Sequence, residues 1–190
     1  QLIARVKDWA DLNRRTADIT PYRALVHKYL DEERFFASPV DFGLMTARFP
    51  SFQPVEVRKR DIAPGYLPQW ILASSACFPM FPMCEIDGQN YLDGAYSDNL
   101  PISTAFRLGA DRVIAIGLKP ETPEKKYANH PLVTYIAPAE PLGKLLEFDP
   151  DAMRRSIALG YTDTLRVLGD HIGRTYTFAP DGQTLLDGVA

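Results

Sequence analysis

Cysteine is scarce in this chain. Only Cys77 and Cys84 occur in 190 residues, too few for a disulfide framework, and such sparse use suits a reducing compartment. Histidine is little better placed: His27, His130 and His171 lie far apart and neither cysteine belongs to a C-x-x-C pair, so no metal-ligand spacing exists and neither metal nor organic cofactor is expected. Positive charge is not in surplus. With 21 Lys and Arg against 24 Asp and Glu the net charge is -3, which leaves no field to gather a phosphate backbone and argues against nucleic acid as a partner. No apolar run approaches the roughly 20 residues of a membrane-crossing helix, so the expected location is the cytoplasm, with peripheral membrane contact a further expectation. An initiator Met and a signal peptide are lacking too. The chain opens directly in QLIARVKDWADL, and the expectation is a chain entered partway through a domain.

What is present has the make-up of one globular domain. At 46% hydrophobic and 24% charged residues, a sizeable core can form. Leu2, Ile3, Val6, Trp9 and Ala10 make a helical stripe, and a second helix begins where Thr20 can cap it and Pro21 takes the first helical position, with Tyr22, Leu25, Val26, Tyr29 and Leu30 on one apolar face. DEER, Asp31 to Arg34, falls at its solvated end. From Pro39 the period changes: VDFGLMTARF and QPVEVRK predict two strands around a Pro-containing break. Pro68 opens a short helix through Ala76, and Phe78-Pro79 ends it.

The centre of the chain is Trp70 to Leu118. CEI and YL flank Asp87-Gly88, a hairpin signal, and Asp93-Gly94-Ala95 follows at the exit of the second strand. A helix with Ile102, Ala105 and Phe106 inward ends at Gly109. RVIAIGL is then almost continuously apolar, as expected of a strand covered on both faces, and strand, helix and buried strand in that order predict an α/β sheet between helical layers. PETPEKK is an exposed loop, LVTYIAP another strand, and Asp149-Pro150 starts a helix with Met153, Ile157, Tyr161, Leu165 and Leu168 at helical spacing and Gly169 past its end. RTYTFAP reads as a short edge strand, and residues 180–190 as a disordered tail.

Four blocks in order are specific where none is alone: A-S-S-A-C-F-P (Ala73 to Pro79), D-G-A (Asp93 to Ala95), D-N-L-P (Asp98 to Pro101) and G-A-D-R-V-I-A-I (Gly109 to Ile116). The set resembles the second half of the patatin-like phospholipase family, strongly from about Pro39 to Leu118, and F-D-P with G-Y-T-D-T resembles the extension of its bacterial members. The resemblance implies a three-layer α/β/α sandwich, with a core to about residue 138 and a helical extension over about 149–169. It also implies hydrolysis of a lipid or other acyl ester by a serine-aspartate dyad without a cofactor. Asp93 would be the proton acceptor of that dyad. A serine hydroxyl is a poor nucleophile until a base takes its proton, so the site should shield Asp93 and raise its proton affinity. Gly94 and Ala95 suit a crowded place.

The departures are equally definite. No G-x-S-x-G occurs in these residues, nor does the family's glycine-rich oxyanion loop, so the expectation is a C-terminal part of the domain lacking its N-terminal strands and nucleophile elbow. Its partner would be the missing N-terminal half, and alone it should be inactive. Taken locally, Asp93-Gly94 is only a turn at a strand end. Ser74 and Ser75 end a helix without a Gly-flanked elbow and read as structural, at most lining the site with Asn99. Phe78 to Met83, including Phe81, is either core or an apolar lip at which an acyl chain enters. Two rivals remain: a catalytically inactive lipid- or partner-binding module of the same fold, and a nucleotide-binding α/β domain, weakened by the lack of G-x-G-x-x-G. Hydrolase and acyltransferase are not separable from these residues.

Overall fold

A computed structural model describes residues 9–119, 127–143, 149–169, 176–178 and 184–186. The expectations placed on Leu2, Ile3, Val6 and PETPEKK lie outside these residues. The chain divides into two compact units, residues 1–101 and 102–190.

The first unit is built on a four-stranded antiparallel sheet. Its strands are β1 (Gly43–Arg48), β2 (Gln53–Arg58), β3 (Cys84–Ile86) and β4 (Gln89–Asp93), in the order β2-β1-β4-β3. The two middle strands carry the burial: Met45, Thr46 and Ala47 in β1 and Tyr91 and Leu92 in β4 are all buried. Pro54 sits in β2, at the edge, where its missing N–H costs no internal ladder bond. Asp87 and Gly88 both have positive φ, +50° and +77°, the conformation a two-residue hairpin needs, so the Asp-Gly signal is met.

Both faces of this sheet are packed. On one, Ala47 and Leu92, paired across β1 and β4, meet Phe78 and Met83, with Trp9 and Leu12 of α1 (Trp9–Arg14) against them. On the other, α4 (Leu67–Ser74) lays Ala73 and Trp70 over Ile86 and Tyr91, the Trp70 and Tyr91 rings meeting edge-on at 5.1 Å, a contact worth about 1 kcal/mol beyond its buried area.

Three local expectations need correction here. Thr20 does not cap α2 (Thr20–Tyr29). Its N-cap is Ile19, and Asp18 Oδ1 accepts from the Thr20 N–H at 2.8 Å, filling the capping role from two residues earlier. The apolar face of α2 is not buried either, with Tyr22, Leu25 and Tyr29 all exposed. DEER is not the solvated end of that helix: Asp31 caps a separate helix, α3 (Glu32–Ala37), accepting from the Arg34 N–H. Glu32 then reaches 35 positions along the chain, its two carboxylate oxygens accepting from Gly65 N–H at 2.9 Å and Leu67 N–H at 3.0 Å. It satisfies the start of α4, whose own N-cap Tyr66 offers no side-chain bond.

The second unit pairs β5 (Val113–Ile116) with β6 (Val133–Ile136) in parallel. It also holds α5 (Ile102–Arg107) and α6 (Pro150–Leu168). Asp149 caps α6, Pro150 opens it and Gly169 closes it at φ +80°, as the sequence predicts. The burial expectations fail: Ile114 and Ile116 of β5 are 61% and 64% exposed, so the strand is covered on one face only. On α6 the apolar stripe is likewise exposed at Met153, Ile157, Tyr161 and Leu168, while Asp163 is buried. Asp163 accepts from the Ala139 N–H at 2.8 Å and from Arg166 Nη1 at 2.7 Å, so the helix is anchored past β6 by a carboxylate. The tail also differs at one point. β7 (Tyr176–Phe178), within the RTYTFAP read as a strand, pairs antiparallel with β8 (Thr184–Leu186), and it is β8 that falls inside residues 180–190.

Candidate functional site

The end of β4 is tied to the end of α4. The Asp93 N–H donates to the Ala76 carbonyl at 3.0 Å. Thr46, directly across from Asp93 in register and fully buried, donates its hydroxyl to the Leu92 carbonyl and, at 3.4 Å, to that of Ala73. The blocks around Ala73 to Pro79 and Asp93 to Ala95 are therefore stitched by backbone and one hydroxyl.

Asp93 itself is half-buried. It caps a single 3-10 turn, Gly94–Tyr96, with Oδ1 accepting from the Ala95 N–H at 2.8 Å. That bond fixes the carboxylate at the strand end, and Oδ2 has no hydrogen-bond partner among the described residues. Gly94 is buried against β1. A Cβ there would overlap the Met45 carbonyl oxygen, lie 2.7 Å from its carbon and 2.9 Å from the Met45 Cβ, so only glycine lets the turn lie this close. The same Met45 carbonyl accepts from Ser74 Oγ at 2.8 Å. Ser74 and Gly94 thus meet on one backbone group.

The other expected residues are placed differently. Ser75 caps the C-terminus of α4, its hydroxyl donating to Ile71 and Leu72 carbonyls and lying 3.1 Å from Tyr22 Oη. Phe78 and Met83 are core, while Pro79 is exposed and Met80, Phe81 and Pro82 are half-buried. The loop is thus anchored at both ends by packing, with only its tip outward. Asn99 is exposed, and the neighbouring Asp98 accepts locally from the Leu100 N–H at 3.1 Å.

Two neighbours of Asp93 carry no signal in the sequence. Burial pushes the Cys77 thiol up from its ordinary pKa, and the Asp93 charge pushes it further. Tyr96 is raised as well, by burial first and then by Cys77 and Asp93. Its hydroxyl donates to the Phe78 carbonyl and its ring meets Phe52 edge-on at 5.9 Å. Both groups stay protonated near neutrality, so Asp93 is flanked by a neutral thiol and a neutral phenol. Only the register of β4 against α4 brings them there.

A cavity of about 340 Å³ opens elsewhere in this unit, between α2, α4 and the segment Phe81 to Glu85. Ser75, Ala76 and Phe81 line it and Asp93 does not. Among the described residues no three His, Cys, Asp or Glu side chains cluster as a metal site, and no helix is long and apolar enough to cross a membrane.

The chain is thus mixed α/β, with its D-G-A turn clamped against a helix end. The model of the patatin-like phospholipases, a family of lipid-ester hydrolases, matches residues 5–106, more than half of the chain, and the protein belongs to that family. The match starts well before Pro39, so α1 to α3 are part of it. A comparison with curated proteins gives no match.

Proposed function

We propose that Asp93 is the base of a serine-aspartate dyad in a lipid acyl hydrolase, a phospholipase or esterase. In this reading the 190 residues are the C-terminal part of a bacterial-type patatin-like domain. Both units belong to its three-layer sandwich, and the strand, serine elbow and oxyanion donors that complete it lie in polypeptide outside this sequence. The observation that carries the reading is the state of the Asp93 carboxylate: Oδ1 is held by the Ala95 N–H while Oδ2 has no partner among the described residues. A base needs one oxygen for orientation and one for the proton.

Oδ2 takes the serine proton as Oγ attacks the ester carbonyl. The protonated acid then returns that proton to the departing alcohol, leaving an acyl-serine. Water attacks the acyl carbon while Asp93 again accepts a proton, which it then passes to the departing serine Oγ, releasing a carboxylic acid and restoring the free serine and the carboxylate. The developing oxyanion is stabilised by backbone donors outside these residues, and without them the chain alone is inactive. The substrate is a lipid or other acyl ester met at a membrane surface by a cytoplasmic enzyme. No metal or organic cofactor takes part.

The test uses the complete protein. Asp93→Asn should lower hydrolysis of a chromogenic acyl ester by about 10²- to 10⁴-fold with an unchanged melting temperature, and a fluorophosphonate should label the wild type. Normal turnover by the mutant would sink the assignment. The absence of any G-x-S-x-G in the 190 residues also suits a non-catalytic lipid-binding module, and a fluorophosphonate that leaves the complete protein unlabelled would favour it.

A further inference from the structure

The cavity between α2 and α4 has a chemistry of its own. Its floor is apolar: Leu72, Ala76 and Met83 are buried and Phe81 half-buried around it. Its α2 wall carries a guanidinium and an imidazole. Arg23 and His27, one helical turn apart, both line it, and α2 contains no acidic residue. Tyr22 and Ser75 place two hydroxyls 3.1 Å apart at the same rim. Among the described lining residues Glu85 alone is acidic, and it is exposed, in the segment after the loop.

At about 340 Å³ the space lies at the small end of the roughly 300–1,000 Å³ range of small-molecule sites, which are mostly apolar with a few directing polar groups. A slot with an apolar floor and a guanidinium, an imidazole and hydroxyls along one rim fits a single aliphatic chain ending in an anion. A neutral chain would leave the guanidinium unused. A flat anion without a tail would leave the floor dry and empty.

We propose that this cavity binds a fatty-acid anion, its carboxylate on Arg23 and His27 and its chain over Leu72 and Met83. Arg23 is placed for it: burial raises the half-buried Cys84 thiol and the Arg23 charge pulls it back down, so the guanidinium lies on the cavity side of α2. The site is distinct from Asp93 and does not rest on that residue's being a base.

The methionines supply the test, because Met83 lines the cavity while Met153 lies on the exposed stripe of α6. The complete protein is prepared with ¹³C-methyl methionine and titrated with decanoate below its micellar concentration. The Met83 methyl should shift and saturate while Met153 stays still. Octanoate should bind about 15-fold more weakly than decanoate, two methylenes being lost, and Arg23→Glu, an exposed position, should weaken decanoate at least about tenfold while leaving decanol unchanged. His27→Glu, also exposed, should act in the same direction. Met153 moving in parallel with Met83 would mean general adsorption and overturn the proposal. So would a silent Met83, or decanoate binding that neither charge reversal weakens.

Discussion

Gly94→Ala is the most demanding single test of how Asp93 is held. The added Cβ would overlap the Met45 carbonyl oxygen and sit 2.7 Å and 2.9 Å from the Met45 carbonyl carbon and Cβ, distances no folded protein tolerates. Two of these atoms are backbone, so no side chain can swing away. β1 cannot retreat either, because β2 and β4 hold it on both edges. The turn must therefore lift, which strains the Asp93 N–H bond to Ala76 and the Ser97 and Asp98 N–H bonds to Gly94. Overpacking of this kind costs about 1–3 kcal/mol, and each hydrogen bond lost adds about 1 kcal/mol, so roughly 3 kcal/mol is expected. Both tryptophans, Trp9 and Trp70, lie in the first unit, so their fluorescence in urea reports this unit alone. With a slope of about 1–3 kcal/mol per molar urea, the midpoint should fall by about 1–3 M. Ala95→Ser, at an exposed position in the same turn, should leave it unmoved. A Gly94→Ala midpoint equal to the wild type would refute the close approach, and with it the placement of Asp93.

Four further changes test separate parts of the structure. Thr46→Val keeps the shape but strips the hydroxyl from the Leu92 and Ala73 carbonyls; it should cost about 1–2 kcal/mol in the same urea assay, with Thr46→Ser keeping the hydroxyl bonds that Val loses. Glu32→Ala removes the acceptor for Gly65 and Leu67 N–H and should cost about 1–2 kcal/mol as a lost cap, whereas a free surface glutamate would cost nothing measurable. Asp163→Ala leaves the Ala139 N–H without its acceptor; about 2–3 kcal/mol should be lost, read by circular dichroism since the second unit has no tryptophan. The raised Cys77 thiol makes a pH prediction. The thiolate is disfavoured by burial and by the Asp93 charge, so in a Cys84→Ser background alkylation by iodoacetamide should be slower than for an unfolded cysteine at pH 8 and rise with pH. Asp93→Asn should then speed it at fixed pH, because one of the two causes is gone; an unchanged rate would separate Cys77 from Asp93.

Part of each unit could be read from the order of residues, where the signals are local. Asp87-Gly88 needs two positive φ angles and has them. Asp149, Pro150 and Gly169 bracket α6 because a cap, a fixed φ and a left-handed stop each act within one turn of chain. Glu32 could not be read in this way. A glutamate in a DEER run looks solvated, and its capping of α4 depends on a fold that brings positions 32 and 67 together. Thr46, Cys77 and Tyr96 were hidden for the same reason: what they do depends on which residue of β1 and which end of α4 lie beside β4.

The misplaced faces have a different cause. Periodicity identifies the apolar side of a helix or strand but says nothing of what covers it. Tyr22, Leu25 and Tyr29 on α2 keep the spacing of a buried face and are exposed. On β5, Ile114 and Ile116 do the same, and on α6 so do Met153 and Ile157. Single exposed apolar residues need no explanation, but three regular stripes drawn from both units do. Exposed stripes of this kind are where a protein or lipid partner would be sought first. At the site, likewise, a carboxylate is oriented by one oxygen and its other oxygen faces no donor among the described residues. The site proposed at Asp93 therefore predicts a hydroxyl donor for that oxygen, and the stripes of each unit predict a cover of their own.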